Sequence, residues 1–415
     1  MQRHDVSLEN RNNEVDRAWS ERGWPADLLA RARSLHIAED AMLRWFAWNA
    51  TLERAQEEVQ WAEELHHGTM RFRQLTYADN EAFCDLWANS PEQIGDWDVT
   101  VGRGPSGFAS FELQERPVLN GLFDDGRLVA CVSFSLRHTI VGGRRISVRY
   151  GQAMRVHKDH RGHAYAHWVR SLPGAVGLQM PTRLQYDYIR ARNMTMERWN
   201  KKFMPSVESV PRRDDDVPGM PVTVLQLAAT AATHTADGIR PARPSDYERC
   251  AALINRTHNG RDLFRPYTAE WLSSRLEFDV PSGWPWQTPY TLDDFWVLER
   301  GGAVIACAGL WDRGRDLRER WIHRETGQER IVSHTALLDI GYAEGAENAM
   351  AALIEHLLGV THELGRDFLT APLAYLPGVA AQLANFEPEE ETRYLQWRAD
   401  TPALTTPAHL DLVYW

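Results

Sequence analysis

From about residue 14 to residue 67 the apolar side chains recur at helical spacing, with Trp24, Leu28, Leu29, Leu35, Ala41, Leu43, Phe46 and Trp48 among them, and no alternating run interrupts them. This pattern predicts a helical appendage. At Arg71 it changes: "RFRQLTYADNEAFCDLW" predicts a short strand over 71–75, a turn capped by Asp79, and an amphipathic helix from about residue 79. The same order of signals returns in "IRPARPSDYERCAALINR" at 239–256, with Asp246 as the cap, after a polar and Ala/Thr-rich stretch that reads as a linker.

A second correspondence follows the first. "DDGRLVACVSF" and "RGGAVIACAGL" both predict a hairpin turn leading into a buried strand, and Gly126, Ala130 and Cys131 match Gly302, Ala306 and Cys307 at a constant displacement of 176 positions. The cap aspartates are displaced by 167, so the two halves share a plan and differ by loop insertions. Two matches in the same order imply tandem copies of one α+β domain. The expected organisation is an N-terminal helical appendage over 1–68, one domain over 69–232 and a second over 233–415.

Composition narrows the function classes. The chain has 415 residues, 43% hydrophobic and 25% charged, which is enough for more than one core, and its net charge of −11 argues against nucleic-acid or anionic-membrane partners. The N-terminus lacks an apolar leader and no run approaches the roughly 20 apolar residues of a membrane span, so a cytoplasmic location is expected. Cys84, Cys131, Cys250 and Cys307 have no paired spacing and read as buried free thiols.

Against that acidic background, "RVHKDHRGHAYAHW" at 155–168 concentrates positive charge. The preceding "RRISVRYGQAMRV" alternates as a strand, and "RGHAYAHWVRSL" reads as a helix ended or kinked by Pro173-Gly174. Strand, basic turn and helix aim free N–H groups and the positive end of a helix dipole at one point, a seat for phosphate oxygens. Small residues at Gly162, Ala164 and Ala166 let a ligand approach the backbone, while Arg155, Lys158 and Arg161 add charge. His157, His160, His163 and His167 have no carboxylate or cysteine to complete a metal site and are read as surface residues flanking the loop. No metal is expected.

The segment "VHKDHRGHAYA" resembles motif A of the GNAT superfamily of acyl-CoA-dependent N-acyltransferases, whose pyrophosphate loop runs Gln/Arg-x-x-Gly-x-Gly/Ala after a strand. Here it reads Arg161-Gly162-His163-Ala164-Tyr165-Ala166, with Ala164 in place of the central glycine. "RLQYDYIRARNMTMERWNKKF" resembles the family's fifth strand and following helix, with Asn193 at its asparagine position. The resemblance implies two tandem GNAT-like mixed-sheet domains, the second degenerate. It also implies acetyl-CoA or another acyl-CoA as co-substrate, bound by the N-terminal copy through the main chain of Met154 and Val156, through Arg155, and through the loop residues. The tyrosine that often protonates the departing thiolate has no counterpart, since Trp199 and Asn200 stand near its position.

The second half departs from this pattern. "EGAENAMAALIEHLL" places Glu344, Gly345, Glu347 and Ala349 opposite Arg161, Gly162, Ala164 and Ala166, and negative charge at a helix N-terminus repels a phosphate. The C-terminal copy is therefore expected to buttress the first and wall off a substrate pocket.

Transfer of an acyl group to an amine needs a group that takes a proton and a donor that holds the developing oxyanion. The candidates are Tyr150 and Gln152 on the fourth strand, Asp187 and Tyr188 on the fifth, and Asp96 and Asp98 in "IGDWDV". Asp187 is the preferred base because its strand is otherwise aromatic, with an ion pair to Arg190 or Arg192 as the structural alternative. The aromatic stretch at 283–296 reads as packing, or as a lid over an apolar acceptor. The expected partner is a small-molecule amine, with a homodimer as a further arrangement. Alternative readings are a transferase using aminoacyl-tRNA, which the charge and the loop oppose, and a CoA-binding scaffold without turnover.

Overall fold

The computed structural model describes residues 17, 19–34, 52–53, 56, 59–60, 63, 70–161, 184–190, 220–231, 236–277, 288–399, 404 and 408–412. In chain order the elements are α1 (Ala26–Ser34), β1 (Arg71–Gln74), α2 (Asn80–Ala88), β2 (Glu92–Ile94), β3 (Trp97–Arg103), α3 (Ala109–Glu112), β4 (Pro117–Asp124), β5 (Arg127–Val141), β6 (Arg144–Val156), β7 (Leu184–Arg190) and β8 (Met220–Ala228). There follow β9 (Ile239–Pro241), α4 (Tyr247–His258), α5 (Ala269–Leu276), β10 (Phe295–Arg300), β11 (Ala303–Trp311), α6 (Arg313–Asp316), β12 (Leu317–His323), β13 (Glu329–Val332), β14 (His334–Tyr342), α7 (Glu347–Glu363), β15 (Phe368–Ala371), α8 (Pro377–Gln382) and β16 (Glu389–Ala399). The chain divides into two compact units, one of residues 1–90, 118–134 and 152–181, the other of 91–117, 135–151 and 182–415. Strands β5 and β6 each contribute residues to both.

In the first unit the described N-terminal residues are helical apart from a turn at 22–25, as the period predicts, and Trp19, Leu28 and Val59 are buried. Strand β1 runs antiparallel to β4 from Arg71 opposite Phe123 to Gln74 opposite Asn120. Asp125 and Gly126 both take positive φ, the geometry of a two-residue hairpin turn that joins β4 to β5. Phe72, Phe83, Leu86, Leu122 and Val129 form buried packing here. Asp79 closes the turn before α2: its carboxylate accepts from Thr76 N at 2.8 Å and from both Arg73 Nη atoms at 2.8 and 2.6 Å. Arg73 holds the Asp79 carboxyl down at about 2.

The second unit carries the sheet order β5, β6, β7, β16, β8, β15, β14, β11, β10, β9, together with a separate four-stranded sheet β13, β12, β3, β2. Pairs β6/β7 and β14/β15 are parallel. Along β14, Ala336 and Leu338 pack in the cluster that holds α4 and α5, whereas Leu337 packs with α7, as strand alternation requires. Asp339 interrupts this phase with φ +52°, where the β11/β14 register shifts, and Ile340 lands on the α7 side. The cap before α4 repeats the chemistry seen before α2. Arg243 N donates to Asp246 at 2.8 Å, Arg240 grips the same carboxylate at 2.8 and 3.2 Å, and Gly301-Gly302 form the turn into β11.

Among the described residues no helix is long and apolar enough to cross a membrane. Cys131, Cys250 and Cys307 are buried free thiols and Cys84 is partly buried. The four-stranded sheet was not anticipated from sequence. Asp96 and Asp98 lie in its β2–β3 hairpin, away from the cleft described next, and Asp98 pairs opposite Ile322.

Candidate functional site

Two places in the structure gather polar groups that the folding of their elements does not consume. The first is the end of β6, in the first unit. Ala153 has φ +55°, unusual for alanine, and its carbonyl accepts a weak bond from Cys131 Sγ at 3.3 Å. His157 N donates to Val129 O at 2.9 Å, so by strand alternation Met154 and Val156 address the opposite edge of β6. On that edge Ser90 Oγ donates to Val156 O at 3.1 Å, and Arg155 Nη1 turns back to Met154 O at 3.0 Å while its guanidinium lies 4.0 Å from the centre of the Trp87 ring. Lys158 and Arg161 are exposed beyond the strand, with Arg161 Nε 3.4 Å from Val156 O.

His157 departs from expectation. It is 1% exposed, not a surface residue, and Arg127 Nη2 donates to its Nε2 at 2.9 Å. Burial, and then the Arg127 charge, lower its pKa and keep the imidazole neutral. It fixes the strand end and adds no positive charge.

The second place is a narrow cleft in the second unit, partly open to solvent, with a volume of about 10 Å³, room for a single water. Ile254 and His258 of α4, Tyr267, residues 337–340 of β14, Pro372 and Tyr375 after β15, and His409–Leu412 near the C-terminus line it. Asp339 sits at the bulge and accepts from Tyr267 Oη at 2.6 Å, Tyr290 Oη at 2.9 Å and Arg275 Nε at 3.1 Å. Burial raises the Asp339 carboxyl pKa while Arg275 and the two hydroxyls oppose the rise. Arg275 reaches on to Asp411 at 3.3 and 3.4 Å, which ties the C-terminal segment to the bulge. Gly309 makes the arrangement possible, because a Cβ there would lie 1.7 Å from Tyr290 Oη.

Neutral imidazoles face this cleft. His258 Nε2 lies 2.9 Å from Ile340 O, an acceptor only, so Nε2 carries the hydrogen and Nδ1 keeps a bare lone pair. That Nδ1 and His409 Nδ1 are both buried without a hydrogen-bond partner, and the two rings stand 4.4 Å apart. Burial pushes His258 down to about 3 and, with the His258 and arginine neighbours, moves His409 well below its usual value. His409 is held from behind by its own N–H on Asp262 O at 2.7 Å.

Parallel pairing of β6 with β7 runs from Val148 opposite Leu184 to Gly151 opposite Asp187, and that of β14 with β15 from His334 opposite Phe368 to Ala336 opposite Thr370. Past the second ladder α4 supplies partners to β14: Thr257 Oγ1 accepts from Tyr342 N at 2.9 Å and donates to Tyr342 O at 3.4 Å, beside the His258 bond to Ile340 O. Gly341 lets α4 approach this closely, since a Cβ there would meet Ile254 N at 2.6 Å. Glu344, in the loop before α7, is exposed and paired with Arg256 at 2.8 Å.

Of the site residues expected from sequence, Tyr150 is buried against Tyr186 and Tyr188, with ring centres 5.1 and 5.7 Å away. Burial raises the Tyr188 phenol, with Arg137 opposing and Tyr150, Tyr375 and Asp411 adding to the rise. Tyr188 therefore stays protonated, a donor and not a base. Gln152 has a buried Nε2 without a hydrogen-bond partner. Asp187 stands opposite Gln396 of β16 and Gly151 of β6, and its side chain lies outside the described residues. Gly162, His163, Ala164, Tyr165, Ala166 and Asn193 also lie outside them. Sequence reasoning missed His258, His409 and the Asp339 cluster. Among the described residues no three His, Cys, Asp or Glu side chains are grouped to hold a metal ion.

No protein-family model and no curated protein matches this sequence. Solved structures do match it. Saccharomyces cerevisiae N-myristoyltransferase with bound myristoyl-CoA superposes with a TM-score of 0.56, at 10% identity over 80% of this chain and 83% of that one. The same enzyme with bound myristoyl-CoA and inhibitors gives 0.54, at 10% identity over 80% and 81%. A GCN5-related N-acetyltransferase from Sphaerobacter thermophilus aligns at 0.45, with 14% identity over 83% and 98%. At such identities the likeness concerns architecture: the chain has a GNAT-like α+β fold, shared with yeast N-myristoyltransferase.

Proposed function

We propose that the protein is an acyl-CoA-dependent N-acyltransferase made of two copies of one domain, which moves an acetyl group from acetyl-CoA to the amine of a small molecule. The acyl-CoA is held by the N-terminal copy, along Met154 and Val156 and at the basic turn beginning with Arg161. The yeast enzyme of like fold is described with bound myristoyl-CoA, which supports a CoA thioester as co-substrate here.

What carries the reading is a difference between two equivalent strand edges. A displacement of 167 positions relates Arg73 to Arg240, Asp79 to Asp246 and Ser90 to Thr257, and the members of each pair do the same work. The positive φ at Ala153 and Asp339 sets Met154 opposite Ile340 and Val156 opposite Tyr342. In the second copy His258 takes the Ile340 carbonyl. Its counterpart is Pro91, which has no side-chain donor, and among the described residues the Met154 carbonyl is met by its neighbour Arg155, a long side chain that can turn away. The first copy keeps a main-chain edge for a pantetheine amide. The second has closed its own, and carries Glu344 and Glu347 where the first carries Arg161 and Ala164.

Titration calorimetry with acetyl-CoA tests this directly. One equivalent should bind, and Arg161→Glu should weaken binding tenfold or more while leaving the fold intact, because the charge reversal falls on an exposed turn. Unchanged affinity would remove the loop assignment, and no binding would remove the acyl-CoA reading.

A further inference from the structure

The geometry points to a binding site for one water molecule in the cleft between α4, β14 and the C-terminal segment, held by His258 Nδ1, Tyr375 Oη and His409 Nδ1, where it fixes the ring that closes the β14 edge. These three side chains line the cleft, and each of the three atoms is buried without a hydrogen-bond partner. Their rings form one group: the centres of His258 and His409 stand 4.4 Å apart, those of His258 and Tyr375 5.9 Å, and those of His409 and Tyr375 6.3 Å. All lie in the second unit, but each comes from a different segment: α4, the loop after β15, and the residues near the C-terminus. Polar atoms so placed cost stability unless a small ligand completes them. The cleft volume of about 10 Å³ admits one water and nothing larger.

The chemistry of the three atoms selects the occupant. His258 Nε2–H bonds Ile340 O, so Nδ1 of the same ring can only accept. Burial raises the Tyr375 phenol, with Arg261 and the Leu410 N–H opposing and Asp411 adding to the rise, so Oη keeps its hydrogen and can donate. The occupant must therefore donate to one wall and accept from another. His409, neutral, carries a hydrogen on one ring nitrogen, and a water answers its Nδ1 in either tautomer. A cation is opposed by Arg137, Arg261 and Arg275, whose charges act on the His409 ring, while Asp339 and Asp411 are already engaged by Arg275. An anion is opposed by the lone pair of His258 Nδ1. By donating to that lone pair, the water holds His258 in the tautomer whose Nε2–H closes Ile340 O, so the ring is fixed from both sides. This goes beyond the acyltransferase reading and does not depend on it.

A high-resolution crystal structure of the full-length native protein tests this. Solvent density should lie in the cleft within about 3.2 Å of His258 Nδ1 and of Tyr375 Oη or His409 Nδ1. Denaturant unfolding reads the same link in solution, through Tyr375→Phe, His258→Leu and the double variant. Tyr375→Phe keeps the ring and removes the hydroxyl, and that hydroxyl has no direct hydrogen bond to His258. If both side chains share one water, the double change should raise the unfolding equilibrium constant by about threefold less, or more than threefold less, than the product of the two single effects. Should His258→Leu fail to fold, the crystal structure decides alone. No density in the cleft, a peak that takes up soaked rubidium as a cation site would, or single effects that simply multiply overturns the inference. Neither readout involves acetyl-CoA, so the acyl-CoA reading stands or falls by its own titration.

Discussion

At the scale of the residue, His258 does three things with one ring. It closes the Ile340 carbonyl, offers a bare nitrogen to the cleft, and remains uncharged because burial holds its pKa at about 3. Against that burial, the bond to Ile340 O and the Asp411 charge pull the pKa up, while Arg261 pushes it further down, and the neutral His409 ring stands 4.4 Å away. Between pH 6.5 and 3 the unfolded chain binds a proton at this histidine and the folded chain does not. Stability is therefore full above pH 6.5 and falls as the pH drops towards 3, by about 1.4 kcal/mol per pH unit for each such histidine. His409, depressed in the same direction, adds to the slope. Urea unfolding of His258→Gln across this range should show a pH slope smaller by about one proton than that of the native protein. An unchanged slope would mean that His258 is protonated in the folded state.

At the scale of the element, what was legible in the sequence was local. Asp79 and Asp246 announced themselves because a cap acts over three residues, and the β4–β5 and β10–β11 hairpins because positive φ at the turn asks for glycine. The basic turn after β6 was legible as charge against an acidic background. The Asp339 cluster was not, because its members run from Tyr267 to Asp411 and meet only when α5, β14 and the C-terminal segment have folded together. Nor was His157 as a buried residue, since an isolated histidine in a basic run carries no sign of the Arg127 that receives it. The four-stranded sheet escaped because it pairs β3 with β12, strands separated in sequence by residues 104–316. The seating of α4 on β14 depends on Gly341 in a similar non-local way. Gly341→Ala would drive a methyl group into the α4 backbone at Ile254, and a helix cannot step aside as a side-chain tip can. The variant should lose roughly 2 kcal/mol or more in denaturant unfolding. A loss under about 0.5 kcal/mol would show that α4 has room to spare.

At the scale of the whole molecule, the function proposed above has two versions of one strand-and-helix plan divide their labour through backbone hydrogen bonds. A free main-chain edge is what an extended amide ligand needs, and a buried edge with no ligand must be satisfied from within. In the second unit Thr257 and His258 answer the edge of β14, and Arg275, through Asp411, fastens the C-terminal segment across the cleft. In the first unit Ser90 answers one carbonyl of β6, and the long side chain of Arg155 covers the next. The two edges should therefore respond differently to the same ligand. Hydrogen exchange read by mass spectrometry, with and without saturating acetyl-CoA, should show new protection over residues 152–161 and no change over 337–349. Protection of both segments would mean that α4 yields to the cofactor and that each half binds one equivalent. Protection of the second alone would reverse the assignment, because the acidic loop at Glu344 would then receive the phosphates and the basic turn at Arg161 would not.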